Sequence, residues 1–238
     1  MTQRVFITGA NRGIGLEFVR QLLARGDRVF ATARRPQQAD ALQHLVTTYP
    51  QQLSILKLDV ADNDAIEAAY QAVQAETNAL DLLINNAGII GMSDDRSQQA
   101  FGNLNFEDTL YVLRVNAVGP LMIAQRFVEL LKAGNSPRLV NITSQLGSLS
   151  RKTSGGRYHY DGSKAALNMF TRTLAFDLLP HGIVTIMIHP GWVQTDMGGD
   201  SANLTPQAAV KSMLHLFDNL TKDSAGRFYK WDGSEHAW

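Results

Sequence analysis

The chain has 238 residues, of which 45 % are hydrophobic and 18 % are charged, a composition typical of a globular protein with a sizeable core. Lysine plus arginine equals aspartate plus glutamate at 22 each, so no net charge favours nucleic acid or an anionic membrane. The absence of cysteine excludes disulfides and cysteine-bound metals, and the six histidines lack metal-ligand spacing, so we expect no metal site. Because no leader or membrane-length apolar run occurs, we expect a cytoplasmic protein.

Short β-rich runs alternate with amphipathic stretches along the chain. The predicted strands are Val5–Thr8, Arg28–Ala33, Leu53–Leu58, Leu80–Ile84, Arg138–Thr143, Ile183–Ile188 and Gly226–Trp231. The predicted helices are Ile14–Arg25, Gln37–Tyr49, Asn63–Glu76, Phe106–Lys132, Tyr160–Leu179 and Pro206–Asn219. This alternation predicts parallel strands joined by right-handed crossovers, and therefore a single doubly wound α/β domain over residues 1–238.

A glycine-rich turn, Thr8-Gly9-Ala10-Asn11-Arg12-Gly13-Ile14-Gly15, joins the first strand to the first helix. Glycines at such a junction let the backbone approach a pyrophosphate, which the free N–H groups and dipole of the helix N-terminus stabilise. The same residues could form only a tight loop. Their position directly after the first strand favours a dinucleotide-binding turn.

The end of the second strand bears on which dinucleotide is bound. Arg34-Arg35 follows the glycine turn by about twenty residues, where a carboxylate would bind the ribose of NAD and an arginine the 2′-phosphate of NADP. No acidic residue occurs between Arg28 and Ala39, and Arg12 could reach the same phosphate. The sequence therefore favours NADP over NAD, although these arginines could also be merely solvated.

Two further strand ends carry polar or small residues. Asp59-Val60 follows the third strand, and Asp59 could either accept the adenine amino group or cap the helix that begins near Asn63. Asn85-Asn86-Ala87-Gly88 follows the fourth strand, where small residues would let the backbone pass a ligand or form a plain turn.

Asn116 is a polar residue in the apolar part of the predicted helix Phe106–Lys132, with Pro120 four residues later. It could be an ordinary core asparagine whose hydrogen bonds are satisfied. Proline has no N–H, and its ring displaces the carbonyl group four residues before it. We therefore expect the Asn116 carbonyl to be free and able to hold a water molecule.

Hydroxyl groups follow the fifth and sixth strands. Ser144 lacks a G-x-S-x-G elbow and an acid–histidine pair with triad spacing, so it could donate to a substrate carbonyl or simply cap the strand end. After the sixth strand, Pro190-Gly191 forces a turn, and Thr195 can present its hydroxyl to an amide such as nicotinamide. The glycine-containing segment 197–203 is a candidate lid.

Tyr160 and Lys164 lie one turn apart if the segment from Tyr160 onward is helical. An ammonium group close to a phenol favours the phenolate, so such a pair can transfer a proton near neutral pH. The spacing also arises by chance on solvated helices. Helical geometry places Tyr160 about 40° from Lys164 around the axis and Tyr158 about 120° away, which favours Tyr160 as the acid.

Together these motifs resemble those of the classical short-chain dehydrogenase/reductase family. The segments 191–199 and 231–238 look like those of Sniffer-type carbonyl reductases and C-factor-like proteins within it. The resemblance implies a Rossmann fold with seven parallel strands ordered 3-2-1-4-5-6-7, and a cofactor across their carboxyl ends. The implied cofactor-binding residues are Gly9, Asn11, Arg12, Gly13, Ile14, Gly15, Arg34, Asp59, Val60, Asn86, Ala87, Gly88, Tyr160, Lys164, Pro190, Gly191, Val193 and Thr195.

The resemblance also implies roles for four catalytic residues. Tyr160 would protonate the carbonyl oxygen, and Lys164 would lower the pKa of Tyr160 and contact the nicotinamide ribose. Ser144 would orient the substrate carbonyl. The main chain of Asn116 would hold a water molecule linked to Lys164, in agreement with the carbonyl freed by Pro120.

The function implied by the resemblance is NADPH-dependent reduction of a small ketone, aldehyde or quinone by a homodimer or homotetramer. An alternative is an NADP-binding signalling or regulatory protein of the C-factor type with little turnover. A third hypothesis, a reductase of carrier-protein-linked substrates, requires a basic docking patch, for which Arg151, Lys152 and Arg157 are the candidates. No nucleic-acid or membrane partner is expected.

Overall fold

A parallel sheet forms the centre of the protein in the computed structural model, which describes residues 2–93 and 96–238. Within these residues the sheet has seven strands in the order β3-β2-β1-β4-β5-β6-β7, and each neighbouring pair is parallel. The predicted fold and strand order are therefore confirmed. The strands are β1 (Arg4–Ile7), β2 (Arg28–Ala33), β3 (Leu53–Lys57), β4 (Leu82–Asn85), β5 (Arg138–Ile142), β6 (Val184–His189) and β7 (Phe228–Lys230).

Helices cover both faces of the sheet and bury an apolar cluster on each side. They are α1 (Gly13–Ala24), α2 (Asp40–Thr48), α3 (Asn63–Glu76), α4 (Phe106–Leu113), α5 (Gly119–Lys132), α6 (Tyr158–Leu178) and α7 (Pro206–Asp218). On one face Phe18 of α1 stacks on Phe217 of α7 at 5.9 Å, and on the other Phe6 of β1 meets Phe127 of α5 at 4.4 Å. Because the faces are covered, the carboxyl edge of the sheet is the place left for ligand-binding loops.

Several element boundaries differ from the prediction by one to three residues, and two of these differences have identifiable reasons. β4 begins at Leu82 rather than Leu80, because the Leu80 N–H donates to the Leu130 carbonyl in α5 before pairing with β1 starts. α6 begins at Tyr158, two residues earlier than predicted, after Arg157 in a left-handed conformation. Tyr158 is therefore part of α6 and not a residue before it.

The predicted helix Phe106–Lys132 is interrupted by one π-helical turn, Arg114–Val118, between α4 and α5. In this wider turn the Gly119 N–H donates to the Arg114 carbonyl five residues back. Pro120 occupies the first turn of α5, where its missing N–H is tolerated. Single π turns of this kind are frequent at functional sites. The distortion lies at Asn116, as the proline argument predicts, and the role of the Asn116 carbonyl stays a prediction.

No helix in the described part of the chain is both long enough and apolar enough to cross a membrane.

Candidate active site

The glycine turn after β1 and the Asn-Asn-Ala-Gly segment after β4 are joined by a set of short hydrogen bonds. The Thr8 hydroxyl accepts from the backbone N–H groups of Asn86 and Ala87, both at 3.0 Å. In return, the Asn86 side chain donates to the carbonyl oxygens of Thr8 at 2.9 Å and Gly9 at 3.0 Å. The two loops therefore form one unit, and Asn86 has a structural role in it.

The three glycines of this turn serve different purposes. A Cβ on Gly15 would lie 2.2 Å from the Gly9 oxygen, and one on Gly9, whose φ is +65°, would lie 2.8 Å from Ala87 Cα. Packing of the protein itself thus requires Gly9 and Gly15. Gly13, with φ of +55°, faces the loop after β6, and its Cβ would lie 3.2 Å from the Thr195 methyl group.

The N-terminus of α1 fits a diphosphate. Arg12 at its N-cap makes no side-chain capping hydrogen bond, so the backbone N–H groups of the first turn keep their capacity to donate. Asn11 before it is exposed, and Ile14 in it is half-buried. These features support the predicted dinucleotide-binding turn.

The two arginines predicted to bind the 2′-phosphate differ in availability. Arg34 is exposed after β2, and its side chain has no hydrogen bond or ion pair with any residue that the structure describes. Arg12 instead forms an exposed ion pair with Asp196 at 2.7 Å, joining the glycine turn to the loop after β6. Arg34 is therefore available to bind a 2′-phosphate, whereas Arg12 would first have to leave its ion pair with Asp196.

The helix-cap alternative for Asp59 is wrong. The side chain that caps α3 belongs to Asp62, which accepts from Asp64 and Ala65, whereas Asp59 accepts from the Ala61 N–H at 3.0 Å. Val60 beside it is buried. The predicted contact of Asp59 with adenine is not tested by this arrangement and stays a prediction.

Ser144, Tyr160 and Lys164 meet where β5 ends against α6. The Ser144 hydroxyl accepts from the Leu146 N–H at 3.2 Å and so caps its turn, and it is near enough to the Tyr160 phenol to lower the pKa of that group. The buried Lys164 Nζ donates to the Ile142 carbonyl at 3.0 Å and lies 5.8 Å from the centre of the Tyr160 ring. A Cβ on Gly147 would lie 2.7 Å from the Lys164 backbone, so this glycine lets the Ser144 turn press against α6.

The pKa of Tyr160 differs from the expectation. Burial raises the pKa of the phenol, and the hydrogen bond with Ser144 and the charge of Arg157 oppose that rise. The prediction that Lys164 lowers this pKa is not supported, because the lowering comes from Ser144 and Arg157. Lys164 is itself affected by burial, which lowers its pKa from 10.5 to about 8.

Asn116 links the loop after β4 to the catalytic helix. Its fully buried side chain accepts from the Ile89 N–H at 2.9 Å and donates to the Ile89 carbonyl at 2.8 Å and the Ser163 hydroxyl at 2.9 Å. Ser163 in turn donates to the Tyr160 carbonyl at 2.7 Å. A Cβ on Gly88 would lie 3.3 Å from Asn116 Oδ1 and 3.5 Å from Lys164 Nζ, so the Gly88 backbone passes beside both.

The loop after β6 closes on itself and is anchored at both ends. Gly191 has φ of +89°, Val193 is buried and bridges to Leu204, and the Thr195 hydroxyl accepts from the Gly198 N–H at 3.2 Å. The Trp192 indole donates to the Gly198 carbonyl at 2.8 Å. Pro190, Gly191, Val193 and Thr195 therefore border the same edge as the glycine turn, and the candidate lid 197–203 is held at its base.

Comparison with known proteins agrees with this geometry. Residues 3–204 match the sequence model of the family described as short chain dehydrogenase. The chain belongs to the short-chain dehydrogenase family.

Solved structures and curated relatives of this short-chain dehydrogenase cover most or all of the chain. The carbonyl reductase Sniffer of D. melanogaster superposes with a TM-score of 0.92 at 33 % identity over 100 % of both chains. An NADPH-bound carbonyl reductase from chicken fatty liver has a TM-score of 0.90 at 37 % identity, over 100 % of this chain and 99 % of that one. The C-signal of Myxococcus xanthus is 42 % identical over 162 residues, 68 % of this chain and 95 % of that protein. The predicted resemblance is confirmed, and the chain is an oxidoreductase of the carbonyl-reductase type.

Sequence reasoning missed the buried polar groups that fix the catalytic helix of this short-chain dehydrogenase. Asn85 and Asn141 are register partners in β4 and β5, and Asn85 Nδ2 donates to Asn141 Oδ1 at 2.9 Å. Asn141 then donates to the Thr171 hydroxyl of α6 at 2.7 Å. The available signal was an asparagine inside each of two otherwise apolar strands. Among the described residues there is no cluster of three metal-ligating side chains.

Proposed function

We propose that this short-chain dehydrogenase is a single-domain NADPH-dependent reductase that converts a ketone, aldehyde or quinone to an alcohol, with Tyr160 as the general acid. The observation that carries the proposal is the grouping of Ser144 and Tyr160 at the carboxyl edge of the sheet, with Lys164 buried beside them and its Nζ 5.8 Å from the centre of the Tyr160 ring. The NADPH in the solved chicken carbonyl reductase supports the same cofactor here.

The residues that would hold the nucleotide form a line along the carboxyl ends of β1 to β6. The uncapped N-terminus of α1 would receive the diphosphate, and Arg34 the 2′-phosphate. The remaining candidates are Gly9, Asn11, Arg12, Gly13, Ile14, Gly15, Asp59, Val60, Asn86, Ala87, Gly88, Tyr160, Lys164, Pro190, Gly191, Val193 and Thr195. Bound NADPH supplies the hydride.

The chain supplies the proton and orients the carbonyl group. Because burial raises the pKa of Tyr160, the phenol is protonated at neutral pH and can donate to the carbonyl oxygen. The Ser144 hydroxyl, which lies next to the phenol, would hold the substrate carbonyl oxygen in position to receive the proton from Tyr160. Lys164, with its pKa lowered to about 8, gains and loses a proton near neutral pH and would return one to Tyr160. We propose that the Asn116 carbonyl, in the π turn, holds the water that links Lys164 to solvent.

A second candidate function has one specific observation in its favour. The similarity to the C-signal protein of Myxococcus xanthus suggests an NADP-binding signalling or regulatory protein with little turnover. A signalling or regulatory protein would not need a serine and a tyrosine grouped beside a buried lysine, so we favour the enzyme.

The test is steady-state oxidation of NADPH with a panel of ketones, aldehydes, quinones and dicarbonyl compounds. We expect turnover that falls by about 100-fold or more in Tyr160→Phe, while calorimetry still detects NADPH binding to the variant. Tyr158→Phe is the matched control, because the Tyr158 side chain is about half exposed on the same helix. Tight NADPH binding without turnover of any carbonyl compound would favour the signalling or regulatory protein.

Self-association is part of the same proposal. α4 and α6 pack together and expose apolar side chains, among them Phe106, Leu110, Met169 and Phe176. We propose a homodimer or homotetramer formed through these helices. Light scattering coupled to gel filtration measures the mass, and a monomer at micromolar concentration would contradict this part of the proposal.

A further inference from the structure

The loop between Ser144 and the catalytic helix carries three cations, and only one of them is neutralised. Lys152 forms an ion pair with Asp161 in the first turn of α6. The side chains of Arg151 and Arg157 are exposed and have no hydrogen bond or ion pair with any residue in the described ranges. The two arginines therefore keep an unbalanced positive charge beside the site.

The position of Arg157 is unfavourable for the fold. Its backbone is left-handed, with φ of 54° and ψ of 37°, a conformation that glycine adopts with less strain than arginine. It is the N-cap of α6 without a side-chain capping bond, and a cation there opposes the positive end of the helix dipole. A residue that strains the backbone and gains no internal contact is a candidate for a functional role.

This charge lies close to the reacting groups. Arg157 precedes Tyr160 by three residues, and its charge acts on the phenol, whose pKa it lowers. Arg151 and Lys152 line a small pocket of about 70 Å³ together with Gln145 and Leu146, the two residues that follow Ser144. Positive charge is thus present both beside the residues that follow Ser144 and close enough to Tyr160 to act on it.

Apolar side chains border the rest of the cleft. Exposed apolar residues occur in the segments after β4, β5 and β6, where they give no packing energy to the core. Phe101 is 84 % exposed, and its ring approaches the Tyr158 ring of α6 at 6.3 Å between centres. The others in these segments are Met92, Leu104, Leu149, Trp192 and Met197.

We propose that the substrate is a carbonyl compound with an apolar body and a carboxylate group, and that Arg157 selects the carboxylate. This inference rests on the proposed reductase function and adds the substrate class. The guanidinium of Arg157 would bind the carboxylate while the carbonyl meets Ser144 and Tyr160. The aromatic and aliphatic side chains around Phe101 would cover the apolar body.

The test compares an anionic and a neutral aldehyde in the wild type and in Arg157 variants. The anionic probes are 3- and 4-carboxybenzaldehyde, and the neutral probes are their methyl esters. For each variant the measured quantity is the ratio of kcat/KM for the acid to kcat/KM for its ester. Any effect of Arg157 on the pKa of Tyr160 acts on both substrates alike and cancels in this ratio.

We expect Arg157→Gln to lower the ratio for at least one isomer by about tenfold, the effect of losing a charge-assisted hydrogen bond. Arg157→Lys, which keeps the charge and the backbone strain, should retain most of the preference. Lys222→Gln is the charge-matched control, because Lys222 lies before β7, at the opposite edge of the sheet.

Three outcomes would count against the inference in different ways. If the esters are reduced but Arg157→Gln changes neither ratio by more than Lys222→Gln does, Arg157 does not select an anion and the inference is wrong. If neither acids nor esters are reduced while NADPH binds, the proposed reductase function fails first. Equal losses in Arg157→Gln and Arg157→Lys would show that the positive charge at this position does not select the acid, and would also overturn the inference.

Discussion

Replacing the buried Lys164 with methionine should make the protein more stable and inactive at the same time. Burial lowers the pKa of Lys164 from 10.5 to about 8, so the folded protein holds this proton less tightly than the unfolded chain does. Each pH unit of such a decrease corresponds to about 1.4 kcal/mol, so the charged lysine destabilises the fold by about 3 kcal/mol at pH 7.

Methionine has a similar length and no charge, so Lys164→Met removes this destabilisation. The variant loses the hydrogen bond from Nζ to the Ile142 carbonyl, which is worth about 1 kcal/mol. We therefore expect Lys164→Met to raise the free energy of unfolding by about 2 kcal/mol at pH 7. Carbonyl reduction should be abolished, as expected when stability is sacrificed for function.

Urea unfolding of wild type and variant at several pH values measures the difference. The destabilisation by Lys164 is complete below pH 8 and disappears as the pH rises towards 10.5, because the unfolded chain then also loses the proton. The difference between the proteins should shrink accordingly over this range. A variant that is less stable at pH 7, or a difference that does not change with pH, would refute the reasoning.

Three further predictions concern the cofactor, acid stability and the glycine turn. Arg34→Ala should weaken NADPH binding by about tenfold or more and leave NADH binding unchanged. Arg12→Ala should weaken NADPH binding less, because Arg12 already forms an ion pair with Asp196. Calorimetry with both nucleotides measures these changes. Burial lowers the pKa of His189 to about 4, so wild type should lose about 3 kcal/mol of stability as the pH falls from 6.5 to 4, and His189→Gln should lack this loss in unfolding experiments. Gly15→Ala should prevent folding, because the new Cβ would lie 2.2 Å from a backbone oxygen. Gly162→Ala, where a Cβ would meet open space on α6, should melt at the wild-type temperature or above it. Equal melting points for Gly15→Ala and wild type would contradict the steric argument.

Local sequence patterns could not predict some features of the site. Ser144 was predicted either to cap its turn or to face a carbonyl, and the structure shows that it caps the turn and contacts Tyr160. Lys164 was predicted from its spacing and from the family resemblance to lower the pKa of Tyr160, yet Lys164 has no such effect in the structure and burial raises this pKa. Burial depends on everything packed around the phenol, which a four-residue spacing does not describe.

What the sequence by itself determined is the fold, the strand order implied by the family resemblance, and the location of the cofactor turn and of the Tyr160–Lys164 pair. These follow from local patterns, because hydrophobic periodicity sets the elements and glycine or proline sets the turns. Only the tertiary structure decided the pairing of Arg12 with Asp196, the link from Asn116 through Ser163 to Tyr160, and the free charge of Arg157. The two contacts join segments that follow different strands of the sheet. The free charge of Arg157 depends on the absence of an acidic side chain beside it. Both are set by how the chain packs, which local sequence patterns do not describe.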